Sequence, residues 1–223
     1  MHIEELKLYT QDIEEQREFY VNTLGFKLIH SGASSISLTI GKSILTFQLT
    51  DQKVEQYHFA FNIPSNQEKE ALTWLKQRVE IIKFEENEIQ YFDFWDAHAI
   101  YFYDADNNIV EFISRKTLQF NSSEVFSIKS ILNICEIGTP TSHLQNTREI
   151  LLNTIGLVQY SGDETRFSAI GDDEGLFICI NKDVKEYWFP TNEKAHAEEY
   201  TVNIKNHSNR FCLEFKKGHL KLV

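Results

Sequence analysis

Three kinds of feature are scarce in this chain, and each scarcity removes a class of function. No stretch approaches the roughly 18 apolar residues of a membrane span, and the acidic segment from Met1 to Asp12 lacks the apolar centre of a secretory leader. Positive charge is short: 22 Lys and Arg against 33 Asp and Glu give a net charge of −11. Nucleic acid and anionic membranes select clustered Lys and Arg, so neither is expected as a partner, and a small molecule is. Cysteine is limited to Cys135, Cys179 and Cys212, an odd number set far apart, which fits buried reduced thiols rather than disulfides or a cysteine zinc site. These features are expected of a cytoplasmic protein.

What the chain does have is apolar residues, 42% of 223, enough for a sizeable core in one large domain or two small ones. It also repeats itself. Glu5-Leu6-Lys7-Leu8-Tyr9-Thr10 leads into a helical segment, Ile13 to Leu24, and His58-Phe59-Ala60-Phe61-Asn62-Ile63 leads into another, Gln67 to Arg78. Glu5 and His58 fall in register. Each unit closes on a strand, Ile44 to Phe47 and Ile109 to Phe112, which matches Thr46 with Glu111. Four positions are thereby related by a pseudo-twofold axis.

Ile13 to Leu24 carries the apolar stripe Ile13, Phe19, Tyr20 and Leu24, with Asp12 as N-cap and Gly25 as stop. Ser35 to Ile40 and Ser43 to Leu49 read as strands around a Gly41-Lys42 turn, and Ser65 is the expected cap of the second helix. Further strands are expected at Glu80 to Glu85, Ile89 to Phe94 and Ala99 to Tyr103, so each unit reads β-α-β-β-β. The fold class is α+β, with paired units forming a curled mixed sheet around a cup. A polar stretch, 116–127, reads as a linker between a complete module, 1–115, and a truncated one, 128–223. In the latter, Glu136 to Thr141 matches Glu5 to Thr10, a helix is expected over Asn146 to Thr154, and strands over Arg166 to Ile170 and Leu176 to Ile180. Tyr200 to Ile204 and Leu213 to Phe215 echo the second unit, with too few residues between them for a helix and two strands.

The paired units, the helix from Asp12 to Tyr20, the His58-Phe59-Ala60-Phe61 strand and the ending from Tyr101 through Asp104 to Glu111 resemble the vicinal oxygen chelate superfamily. That group includes glyoxalase I, bleomycin-resistance proteins and extradiol dioxygenases. The resemblance is good over 1–115 and weaker over 128–223, where Gly171 to Phe177 and Trp188 to Thr191 also look glyoxalase-like. It implies that two units curl into one open cup, with side chains at the four matched positions pointing at a divalent metal. Departures bear on chemistry. Glu5 stands where dioxygenases have a His, the place of their acid-base His falls among Phe92, Asp93 and Phe94, and Thr46 replaces a ligand usual in glyoxalases.

Glu5, His58 and Glu111 are thus the expected metal ligands. Glu111 shares a strand face with Ile109 and Ile113, and a carboxylate buried in an apolar row needs a cation. Two carboxylates and an imidazole suit Fe, Mn, Zn or Ni, with Thr46 leaving room for water or substrate. Plainer roles also fit these residues: Glu5 exposed beside Glu4, Glu111 paired with Arg115, His58 a satisfied core histidine. Glu136, Glu199 and Glu214 occupy ligand-like places without a His and are assigned structural roles. The expected catalytic residues are Glu111, Tyr101 and His98. Phe47, Phe92, Phe94, Trp95 and Tyr103 are the expected walls of the substrate pocket. Two functions fit: a metal-dependent lyase, isomerase or ring-cleaving dioxygenase acting on a small oxygen-bearing organic substrate, or a metal-free binder of the bleomycin-resistance type. Exposed strand edges in the truncated module suit a homodimer.

Overall fold

A computed structural model describes residues 1–223. Its first unit comprises β1 (His2–Thr10), α1 (Ile13–Arg17), β2 (Lys27–Ser31), β3 (Ser35–Ile40) and β4 (Ser43–Leu49). The second comprises β5 (His58–Ile63), α2 (Glu68–Leu75), β6 (Ile81–Ile82), β7 (Gln90–Phe92), β8 (Ala97–Tyr103) and β9 (Ile109–Arg115). The third runs through β10 (Asn133–Thr141), α3 (Leu144–Glu149), β11 (Gln159–Gly162), β12 (Phe167–Asp172) and β13 (Gly175–Asn181). The fourth keeps only β14 (Tyr200–Asn206), β15 (Asn209–Lys216) and β16 (His219–Leu222). The molecule is α+β, built of β-α-β-β-β units with few helices and two open mixed sheets. No helix is long and apolar enough to cross a membrane.

The units pair crosswise. One sheet has the order β16-β15-β14-β1-β4-β3-β2 and joins the first unit to the fourth; the other, β11-β12-β13-β10-β5-β9-β8-β6, joins the second to the third. Within each complete unit the outer strands run parallel, as β1 with β4, β5 with β9 and β10 with β13. Units meet antiparallel, β1 on β14 and β5 on β10. The segment 116–127 therefore divides the units along the chain but not in space, and it is pinned down: Ser65 N–H donates to Phe120 O at 2.8 Å.

Alternation explains the layers. On β5, Phe59, Phe61 and Ile63 face the main core, while Ala60 faces a smaller apolar cluster inside the curl of the second sheet. The main core ties the helices to both sheets: Tyr20 packs on Phe47 with ring centroids 5.2 Å apart, and Phe26 on Phe61 at 5.8 Å. Each such buried ring contributes roughly 1.5–3 kcal/mol. At the seam between sheets Gly41 has φ +56°, and a Cβ there would strike the Leu132 carbonyl, so the β3–β4 turn requires glycine.

Local signals hold in part. Asp12 caps α1, accepting from the N–H groups of Glu14 and Glu15. The helix then widens into a π-turn over Glu18–Thr23. Ser65 does not cap α2, whose N-cap is Gln67; its hydroxyl donates instead to Arg115 O at 2.7 Å, fastening the end of β9.

Candidate metal centre

The site is set by register across the second sheet. Ala60, on the central strand β5, is paired with Glu111 on one side and with Glu136 on the other. Tyr101 is in turn paired with Glu111 across β8 and β9. Glu136 reaches this row through a bulge: the β10 pairing slips between Ile134 and Glu136, so Glu136 rather than Cys135 stands opposite Ala60. Without that extra residue Glu136 would turn toward the main core. A methyl group at Ala60 leaves space for both carboxylates and for His58, which lies two residues along on the same face.

His58, Glu111 and Glu136 are buried, and one ligand atom from each lies within 4.8 Å of the others. His58 Nε2 is 3.6 Å from a Glu111 oxygen and 4.0 Å from a Glu136 oxygen. Its Nδ1 lies 3.1 Å from the Ile109 carbonyl, which accepts a hydrogen and so fixes the tautomer. Nε2 is then a bare lone pair aimed at two carboxylates. Burial, opposed by that backbone bond and helped by the charge of Lys185, lowers the imidazole to about 4, so it is neutral at neutral pH. An imidazole lone pair and two carboxyl groups turned toward one point are the donor set of a divalent cation, and they fit one once Glu111 gives up its proton.

The carboxylates differ. Burial and then the neighbouring Glu136 push Glu111 well above its usual range, opposed by Arg115 and the Tyr101 hydroxyl. Burial also raises Glu136, but Arg115 Nη2 donates to its Oε1 and pulls the other way. Arg115 is fully buried, its guanidinium 5.4 Å from the Trp95 ring centre and 5.8 Å from that of Tyr160. Glu136 thus spends one oxygen on Arg115 and turns the other toward His58. Tyr101 is raised well above the usual phenol range, by burial first and Glu111 second, so it stays a donor.

Above the three residues opens a cavity of about 630 Å³, large enough for a small organic ligand. Phe92, Phe94, Trp95 and Tyr101 line it, although Phe94 is 98% exposed at the rim. The other expected wall residues lie elsewhere. Phe47 is in the first sheet under Tyr20, because alternation that turns Thr46 inward turns Phe47 to the core. Tyr103 is half-buried against the smaller cluster without lining the cavity. His98 alternates to the opposite face from Tyr101 and packs on the Tyr91 ring, centroids 4.7 Å apart, without lining the cavity itself.

Glu5 is not brought to His58 and Glu111. It belongs to the other sheet, where a matching bulge between Ile3 and Glu5 turns it into that sheet's own curl. There its oxygens accept from Thr46 Oγ1 at 3.0 Å and Asn203 Nδ2 at 3.1 Å, so neutral donors satisfy it. Glu136, read from sequence as structural, takes the corresponding place beside His58. The signal was the repeat itself, since Ile134-Cys135-Glu136 aligns with Ile3-Glu4-Glu5. Glu199 pairs with Lys216 at 2.8 Å and lies outside the cavity.

No protein-family model matches the chain, and comparison with curated proteins finds no match. Solved structures do match in shape. A Bacillus subtilis protein described as a candidate dioxygenase superposes with a TM-score of 0.60 at 16% identity, covering 81% of this chain; the chain spans 63% of that protein's length. Lactoylglutathione lyase from Agrobacterium tumefaciens matches 53% of the chain over 96% of its own, at 20% identity and a TM-score of 0.45. A glyoxalase/bleomycin resistance protein/dioxygenase from Alicyclobacillus acidocaldarius matches 51% of the chain over 90% of its own, at 23% identity and a TM-score of 0.39. Paired units and curled sheets together give this chain the fold of the vicinal oxygen chelate superfamily.

Proposed function

We propose that this chain is a metal-dependent enzyme of the glyoxalase and dioxygenase type, acting on a small oxygen-bearing organic substrate at His58, Glu111 and Glu136. One observation carries the reading: the Ile109 carbonyl commits Nδ1 of His58, leaving the Nε2 lone pair facing two carboxylates. A divalent ion, Fe, Mn, Zn or Ni on ligand type, would polarise neighbouring substrate oxygens there.

The chain's own residues supply the rest. Arg115 holds Glu136 in place and keeps it from swinging away. Tyr101, protonated and beside Glu111, presents a hydroxyl that can hydrogen-bond a substrate oxygen. Glu111, with its raised proton affinity, can take up a proton and return it. The aromatic walls hold a planar body and exclude water. The partner is a small molecule rather than nucleic acid or membrane, the setting cytoplasmic, and a second copy could pair at the exposed edge of β16.

A second reading has its own support. The Arg115–Glu136 ion pair and a protonated Glu111 can balance the buried charge without any ion, as a metal-free binding protein requires. Elemental mass spectrometry on protein purified without a metal-chelating tag separates the two. Near-stoichiometric metal is expected in wild type and Glu5→Ala, and its loss in His58→Ala and Glu136→Gln. Wild type that stays empty after reconstitution overturns the enzyme reading in favour of the binder.

A further inference from the structure

We infer that the cavity over His58, Glu111 and Glu136 takes a planar substrate carrying an oxyanionic group, gripped at the mouth by Lys185 and Arg166. The inference deepens the proposed function and rests on it for the chelating end of the ligand.

The fourth unit lacks the helix of the others and has fewer strands, and ahead of it a strap, 182–199, joins β13 to β14. It folds on itself, Trp188 N–H donating to Glu193 O at 2.9 Å and Ala195 N–H to Glu186 O at 2.8 Å. It crosses to the second sheet rather than serving its own. There Trp188 lies against bare backbone at Gly138, where a Cβ would stand 2.7 Å from the indole Cζ2 and 3.1 Å from the His58 carbonyl oxygen. The Trp188 and His58 rings are 4.9 Å apart. Anchored in this way, the strap adds Lys185, Trp188 and Phe189 to the wall of the cavity.

Lys185 and Arg166 both line that cavity, and neither belongs to an ion pair. In a chain with a net charge of −11, two neighbouring cations without a carboxylate are out of keeping. Lys185 is half-buried, and its Nζ donates only to the Tyr187 carbonyl at 3.2 Å. Burial first, and then the charge of Arg166, push its ammonium down to about 8. The acids on the same wall do not relieve it. Asp163 Oδ1 is engaged by the N–H groups of Thr165 and Arg166 and by the Thr165 hydroxyl, and Asp93 faces the Tyr91 hydroxyl at 3.5 Å. Lys185 Nζ lies 5.6 Å from the Trp188 ring centre, and an oxyanion entering between Lys185 and Arg166 would give both cations an anionic partner, the planar guanidinium through paired hydrogen bonds and the ammonium as a point charge. Phe92, Trp95, Phe167 and Phe189 line the same cavity and suit a flat body reaching from the two cations to His58, Glu111 and Glu136.

Two probes that differ only in the anion test this: catechol and 3,4-dihydroxybenzoate, titrated by quenching of Trp95 and Trp188 fluorescence, with the protein metal-free and loaded with Zn²⁺. The acid is expected to bind at least about tenfold tighter than catechol, the effect of one charge-assisted contact. In Lys185→Met/Arg166→Met that preference should fall to within about twofold, with catechol affinity unchanged and Lys185→Arg retaining the preference. Equal affinities in wild type, a preference that survives the double variant, or no saturable quenching by the acid each overturn the subsite. Failure of the chelation reading is distinct: Zn²⁺ would then leave both affinities unchanged while the preference for the acid persists, which supports the subsite.

Discussion

Glu111 and Glu136 stand on opposite sides of Ala60, each in direct register with it, one through a parallel pairing and the other through an antiparallel one. The smallness of that central side chain lets the two carboxylates and His58 face one point. Ala60→Val fills the gap while leaving all three ligand residues in place. It should lower metal affinity more than about tenfold, and the sheet should survive because Val is a good strand former. Competition with a chromogenic chelator measures the affinity; an unchanged value means the carboxylates meet elsewhere.

Metal binding should release protons in a defined number. Glu111 is raised well above its usual range by burial and by Glu136, which favours its protonated form, whereas His58, lowered to about 4, has no proton to lose at pH 7. Zinc titrated calorimetrically at pH 7 in buffers of different ionisation enthalpy should displace about one proton per ion. Glu111→Gln should displace none and bind more weakly. Zero release by wild type would mean that Glu111 is already ionised.

Arg115 and Glu136 form a buried pair, and removing one partner strands the other. Arg115→Met is expected to cost about 3–5 kcal/mol in urea denaturation at pH 7. The double variant Arg115→Met/Glu136→Gln should recover much of that loss, since no uncompensated charge remains. A loss below about 1 kcal/mol in the single variant would show that water reaches the pair.

Asp104 gives the fold a pH signature remote from the site. It accepts from the Tyr20 hydroxyl at 2.8 Å, and burial pushes its carboxyl up to about 6 from an ordinary 3.8. The folded state therefore binds the proton more tightly than the unfolded one. Stability from the protonated form is full below the unfolded value and is lost as pH rises through the folded value. Relative to Asp104→Asn, wild type should lose about 2 kcal/mol between pH 4 and pH 7. A difference independent of pH would place Asp104 in contact with solvent.

Gly138→Ala tests the strap's seat. The added methyl meets the Trp188 indole and the His58 carbonyl, so the strap must lift. Trp188 fluorescence should shift to the red, and proteolysis within 182–199 should accelerate, with a stability loss of about 1–3 kcal/mol. An unaltered spectrum would mean the indole accommodates the methyl in place.

Much of the fold can be read from local pattern. Strands at Ser35–Ile40, Ser43–Leu49 and His58–Ile63 are found where alternation and turn residues put them, as is the Asp12 cap. Alternation specifies which face a residue shows, not which strand lies beside it, so the crosswise pairing of units was not legible. That is why Glu5 was grouped with His58, although its partners are Thr46 and the distant Asn203. The bulge at Cys135 is a second limit: one unpaired residue reverses the face of Glu136, and period-two reading carries no mark of it. Phe47 was within reach, because a Thr46 turned inward obliges its neighbour to turn outward.

Crosswise pairing also governs how the chain can be made. Lys7 lies opposite Thr201, so β1 cannot complete its sheet until the chain as far as β14 has left the ribosome. When Leu49 has emerged, the first unit is whole in sequence yet has an open edge along β1, waiting for Tyr200–Asn206. The second and third units can close on each other first, with β1 covered only after them although it is made before them.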